Sequence, residues 1–233
     1  MSPTARKSIR AAALTAVMAC AWLAATYTQN RLTAARPALW SAERMSFLPK
    51  TALISRFTFG FTTTYSSYLW IRTVLYFGDH FLTDKEYPWL VRMVDVITKI
   101  NPGFYPPYEF AGLLLPDLCG APGASRVILE RGLSHFGPRQ WKIPFHLGMI
   151  QYQWYNDNRS AADYFALAAR MPGAQSHKLA ALAATFYTRA GATETGIELL
   201  RFMYQTSEDP AVKKHLEEKI NTQVEQLRQN TYF

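Results

Sequence analysis

The sequence predicts an all-α chain: an α-solenoid of about four helical hairpins with a C-terminal capping helix, preceded by an N-terminal transmembrane helix. Three observations carry this. From about Thr63 a helical period of apolar residues takes over. Within it, four positions return at nearly constant intervals. Gly112, Gly148 and Ala184 are each 36 apart. Ser125, Ala161 and Gly196 are separated by 36 and 35, and so are Leu129, Phe165 and Leu200, and Gly132, Ala168 and Met203. A period of this length marks stacked repeats, each too small to bury its apolar face alone. The third observation is a cationic start followed by an apolar run.

The apolar content of 49% in 233 residues is enough for one or two domains with a core. Glycine and proline are too sparse for a collagen-like or disordered chain. The formal charge of +8 is unevenly placed. Residues 1–50 carry Arg6, Lys7, Arg10, Arg31, Arg36, Arg44 and Lys50 against Glu43, so the remaining 183 residues are left with +2. A nucleic-acid binder needs its basic excess on a face of the folded domain, so nucleic acid is not an expected partner. Cys20 and Cys119 are far apart in sequence and form no disulfide framework or CxxC site.

The first expected segment is residues 1–30. Arg6, Lys7 and Arg10 precede an apolar run from Ala11 to Tyr27, broken only by Thr15 and Thr26. At helical rise the run reaches about 25 Å, near the lower limit for a bilayer core. Positive charge before it predicts a cytoplasmic N-terminus with the rest of the chain translocated. That is an uncleaved signal-anchor. Two other readings compete. A signal peptide cleaved near Ala19-Cys20-Ala21 is one. In the other, Val17-Met18-Ala19-Cys20 resembles a bacterial lipobox and Cys20 carries lipid. Residues 31–62, polar and broken by Pro37 and Pro49, read as a linker. Phe57, Phe59 and Phe61 alternate with Thr58 and Gly60, so 52–61 reads as a short strand or the lead-in to a helix.

Residues 63–209 are the expected repeats. Tyr68, Leu69, Ile71, Val74, Leu75 and Tyr76 belong to one helix, stopped near Gly78, with a loop over Asp79–Glu86. Pro88 begins the next, with Leu90, Met93, Val94 and Ile97 inward, and Asn101-Pro102-Gly103 ends it. Tyr108–Leu115 follows, with Pro116, Gly120 and Pro122 in the turn, and then Ala124–Phe136, ended by Gly137-Pro138. Trp141–Tyr155, Ser160–Met171 and Ser176–Ala190 complete the series with the helix around Gly196, Leu200 and Met203. Residues 210–233 form the cap and tail. Pro210 starts a helix striped by Val212, Leu216, Ile220, Val224 and Leu227, with Lys213, Lys214, Glu217, Glu218 and Glu225 opposite. A solenoid needs such a terminal helix with a polar outer face.

The stretch Gly148 to Pro172 resembles a tetratricopeptide repeat (TPR): a small residue in the first helix, then Ala161, Phe165, Ala168 and a proline stop. The resemblance covers about residues 67–209. It weakens in the first hairpin, where Leu90, Val94 and Ile97 stand for Ala, Phe and Ala and Pro102 falls one residue late. The stretch Leu69-Trp70-Ile71-Arg72 with Tyr76-Phe77-Gly78 is also similar to the opening of membrane-anchored bacterial TPR proteins. The resemblance implies a concave groove of first helices that takes a peptide or a helix of a protein partner. It places Lys142, Phe145, Met149, Tyr152 and Gln153 there, with Lys178, Thr185, Thr188 and Arg189, and Glu109 and Asp117 from the hairpin before. Lys142, Lys178 and Arg189 together would receive an acidic or carboxylate-ended segment. The asparagines of a chaperone-type carboxylate clamp are missing.

No phosphate-cradling glycine loop, HExxH or GxSxG elbow occurs, and the five histidines are scattered. No cofactor, metal or catalytic residue is expected. Asp79, Asp84 and Glu86 read as a solvated turn near the next helix start. The dense aromatics Trp70, Tyr76, Phe77, Trp89, Tyr105 and Tyr108 read as core between repeats. The expectation is therefore a non-enzymatic, single-pass inner-membrane scaffold with a periplasmic domain, of undetermined oligomeric state. The alternatives are an outer-membrane lipoprotein acting in envelope assembly, or an enzyme with an unrecognised site in residues 40–100. Topology is directly testable. A reporter active only in the periplasm, fused after Phe233, should be active; activity of a cytoplasm-only reporter there would refute the orientation.

Overall fold

A computed structural model describes residues 17–28, 31, 61–174 and 176–231. Its contacts divide the chain into two units, Met1–Leu48 and Pro49–Phe233. In the first, residues 17–28 are helical, and Val17, Met18, Trp22, Leu23 and Tyr27 are exposed. Cys20 is an exposed free thiol on this helix. The cations before Ala11, the first part of the apolar run, the extended segment expected before Phe61 and nearly all of the linker lie outside the described residues. Among the described residues no helix is both long and apolar enough to cross a membrane.

The described part of the second unit is all-helical. Its helices are α1 (Thr62–Leu82), α2 (Leu90–Ile100), α3 (Pro106–Leu118), α4 (Pro122–Phe136), α5 (Lys142–Tyr155), α6 (Asn158–Ala169), α7 (Ser176–Arg189), α8 (Thr193–Thr206) and α9 (Pro210–Thr231), with a 3-10 turn at Gly137–Arg139. Each packs on the next in sequence. In addition α3 touches α5, α7 touches α9 and α2 touches α4. First helices thus neighbour first helices, and second helices neighbour second helices. This is the packing of a helical repeat.

The periodic positions lie in the core. Ala161, Phe165 and Ala168 are fully buried, as are Ser125, Leu129 and Leu200. So are Leu90, Val94 and Ile97 of the divergent first hairpin. Glycine makes the closest crossings possible. A Cβ on Gly148 would lie 2.7 Å from Cε1 of Phe165, and one on Gly132 would lie 2.6 Å from the Tyr108 ring. Gly112 opens a different gap: its missing Cβ would meet His146 of α5, 2.5 Å away. It therefore admits the next first helix, not its own second helix. Between α1 and α3 the aromatics interlock, with Trp70 and Phe77 both 5.4 Å edge-on to Phe110. On the second helices, Arg131 of α4 reaches Asp95 (2.9 Å) and Thr98 (2.7 Å) of α2.

Two helix ends differ from the sequence expectation by more than two residues. Helix α1 does not stop at Gly78 but runs on to Leu82. The ring pairs Tyr76–His80 (4.3 Å) and Phe77–Phe81 (5.6 Å) straddle the glycine one turn apart and hold the helix across it. Pro116 lies inside α3, not in the following turn. In the last turn a proline forfeits a single bond, to the Gly112 carbonyl. The residues beyond keep theirs, with the Cys119 N–H donating to the Leu115 carbonyl at 3.2 Å.

The seat of Phe165 yields a stability test. Phe165→Ala should cost about 3–5 kcal/mol in denaturant unfolding. Gly148→Ala should cost about 1–3 kcal/mol in the parent and much less in the Phe165→Ala background, because the ring it would strike is gone. Simple additivity of the two changes would mean that ring and glycine do not share this space.

Candidate functional site

The candidate surface is the side shared by the first helices α3, α5 and α7. Lys142 opens α5, and Glu109 sits in the first turn of α3. The contact of α3 with α5 brings Lys142 Nζ to 2.5 Å from Glu109 Oε1. Both side chains remain partly exposed, so the pair is screened and contributes little stability. It does neutralise Lys142. Beneath it His146 is buried in the gap left by Gly112. Burial pushes the imidazole below its ordinary pKa; the Glu109 carboxylate opposes this and the Lys142 ammonium adds to it.

Phe145 and Met149 are half-buried against the core of the last hairpins. The Phe145 ring lies 5.8 Å from Phe165, which lies 5.3 Å from Phe186 of α7. These rings form a floor. At the far end of α5, Tyr152 emerges from it, edge-on to Phe186 at 4.8 Å. Arg189, in the last turn of α7, lays its guanidinium 5.0 Å from the Phe186 centroid and 5.9 Å from that of Tyr152. Stacking on two rings orients a side chain that is otherwise long and mobile. Gln153 is exposed beside Tyr152.

The other expected residues stand apart. Lys178 is exposed in the first turn of α7, about 16 Å along the helix from Arg189. The three cations expected to act together therefore do not converge. Lys142 is paired, Lys178 stands at one end of α7, and Arg189 sits with the aromatics at the other. The hydroxyls of Thr185 and Thr188 donate to the carbonyls of Ala181 and Ala184, which leaves them no free proton. Asp117 is exposed near the end of α3. Phe186 was not singled out from the sequence. Its counterpart 36 residues earlier is Ile150, a core position, and Phe186 too is buried. Only its ring size lets it reach both core and surface.

The acidic residues after α1 close a loop. Asp84 Oδ1 accepts from the Glu86 N–H at 3.0 Å and meets His80 Nδ1 at 2.7 Å. The Glu86 amide, then His80, hold its carboxyl below the usual range. No side chain caps the start of α2. Among the described residues no group of His, Cys, Asp or Glu is placed to hold a metal ion. No family model, curated protein or solved structure matches the chain.

His146 gives the surface a pH signature. Its folded-state pKa is depressed, so as pH falls the unfolded chain takes up the proton first. The resulting contribution is complete above about pH 6.5 and is lost as pH drops below it. The thermal stability of His146→Gln should therefore fall less than that of the parent between about pH 7.5 and about pH 5.5. Equal losses in both proteins would show that the folded state protonates His146 as easily as the unfolded chain does.

Proposed function

We propose that this chain is a non-enzymatic scaffold, tethered to a membrane by its N-terminal helix, that takes a peptide or helix of a protein partner on the face of α3, α5 and α7. In this reading the hairpins are TPR-like repeats and α9 is their cap. The unit lies on the periplasmic side of an inner membrane, as part of an envelope complex for secretion, pilus, transport or assembly. The tether rests on Arg6, Lys7 and Arg10 ahead of the apolar run.

The observation that carries the reading is the cluster of Tyr152, Phe186 and Arg189. Tyrosine and arginine are the residue types enriched where interfaces concentrate their energy. Here they lie on successive first helices over a shared aromatic floor. Arg189 has no carboxylate partner among the described residues. Its planar fork suits a carboxylate, while the Tyr152 ring offers apolar contact. The fitting partner segment thus presents an acidic group next to an apolar or aromatic side chain.

A photoreactive benzoylphenylalanine in place of Tyr152 in the full chain, irradiated in cells, should give a protein adduct; the same probe at Glu130 on α4 should not give it. Arg189→Glu should weaken the captured partner's binding about tenfold or more, the scale of one charge-assisted hydrogen bond, and flatten its salt dependence. Tyr152→Ala should act mainly by speeding dissociation. Partner recovery and salt dependence unchanged by Arg189→Glu would remove this surface from the function.

A further inference from the structure

Helix α1 is apolar on two faces, and its inner one carries Leu69 with Trp70 and Phe77, which lie against Phe110. Its buried residues are Ser66, Leu69 and Thr73, two of them small and polar. Ser66 Oγ accepts from Asn101 Nδ2 at 3.0 Å, and Thr73 Oγ1 donates to the Leu69 carbonyl at 2.8 Å. A second set of large apolar residues points away. Ile71 is 58% exposed, Leu75 61% and Leu82 83%, and Tyr68, Val74 and Phe81 are exposed beside them. Phe61, Tyr68, Leu75 and Leu82 recur every seven residues, with Ile71 three after Tyr68. That is one of the two rows of a helix-pairing seam; the other, Thr64, Ile71 and Gly78, is apolar at Ile71 and leaves room for close approach at Gly78. Arg72 and Asp79 are the helix's only Lys, Arg, Asp or Glu. The other end of the repeat stack is built differently: α9 turns Lys214, Glu217 and Glu218 outward, the polar outer face that a stack's last helix requires.

A stripe so poor in charge offers little to a charged partner, but it complements an identical stripe across a two-fold axis. Its exposed side chains amount to several hundred Å² per copy, approaching the ~800 Å² per partner of a standard stable interface. We propose that the outer face of α1 is a self-association surface, on which a second copy of this chain lays its own α1. Ile71 and Leu75 lie near the middle of α1, so each approaches its counterpart whether the paired helices run parallel or antiparallel. The proposal is independent of what binds at Tyr152.

The test uses the full chain carrying Cys20→Ser and Cys119→Ser, with Leu75→Cys added, co-expressed with two different tags. Oxidation with copper–phenanthroline in intact cells should join two thiols in a disulfide and give, on a gel run without reductant, a band at twice the 26.5 kDa chain mass that carries both tags and disappears on reduction. Glu130→Cys in place of Leu75→Cys should give none. Adding Ile71→Glu to Leu75→Cys should abolish the band while leaving the thermal melt unchanged. Absence of a doubly tagged band from Leu75→Cys overturns the proposal. Maleimide labelling then says what takes the second copy's place: an unreactive Cys means the chain's own residues cover the face, and a reactive one leaves it to another protein or to lipid. A band that survives Ile71→Glu overturns it equally, because the contact would then lie elsewhere.

Discussion

Gly148 has no side chain, and the ring of Phe165 stands where one would be. From that seat the ring touches Phe145 on its own hairpin and Phe186 on the next helix. One aromatic of α6 therefore couples α5 behind it to α7 ahead of it. The position of Phe186, and with it the exposed Tyr152 and Arg189, is set from beneath by this contact. The same device recurs with the roles exchanged. At Gly132 the second helix supplies the gap and Tyr108 of the first helix fills it. At Gly196 both sides are small, and a Cβ would meet the Ala184 backbone at 3.1 Å. What each crossing needs is a total volume, and either helix can supply the large partner. This is why the period survives along the chain while residue types at equivalent positions drift.

That account also explains how much the sequence disclosed. The register and the core are one property, since a position that returns every 36 residues is one that returns to the interior. Phe165, Leu129, Leu200 and even the divergent Val94 could be placed this way. Helix ends obey other rules. Gly78 costs a helix only about 1 kcal/mol against alanine, which ring pairs spanning it can offset, and nothing local announces those pairs. The surface was legible one helix at a time. Tyr152 and Arg189 follow from their register, whereas the Lys142–Glu109 pair depends on how α3 sits beside α5. Phe186 was hidden because its register assigns it to the core, where most of it is.

Charge in the repeat unit is informative by position and not by sum. Lys99 and Arg131 share Asp95, with Arg131 also held by Thr98. Lys142 faces Glu109. These cations act within the structure: Arg131 ties second helix to second helix and Lys142 first helix to first helix, while Lys99 pairs within α2. Arg189 differs in kind. Its neighbours are two rings that fix its direction without neutralising it. An oriented guanidinium on an apolar floor, with no carboxylate beside it among the described residues, would discriminate a ligand by geometry as well as by charge, which the point charge of an exposed lysine such as Lys178 would not.

The two ends of the α5–α7 surface are therefore unequal in what they tolerate. At the Lys142 end, the ion pair is partly exposed and separable from the core, so substitutions there change charge without disturbing packing. At the Tyr152 end, the surface is continuous with the interior through Phe186, which is 5% exposed. A change at Phe186 alters the floor on which Arg189 lies and the wall against which Phe165 packs, so under the proposed function recognition and stability would be coupled through one ring. A repeat stack separates core from face at most positions, and that separation lets such folds acquire new partners without loss of fold. Here the separation holds at one end of the surface and fails at the other. If a partner binds there as proposed, the aromatic end has the rigidity to carry affinity, and the ionic end is where specificity would vary.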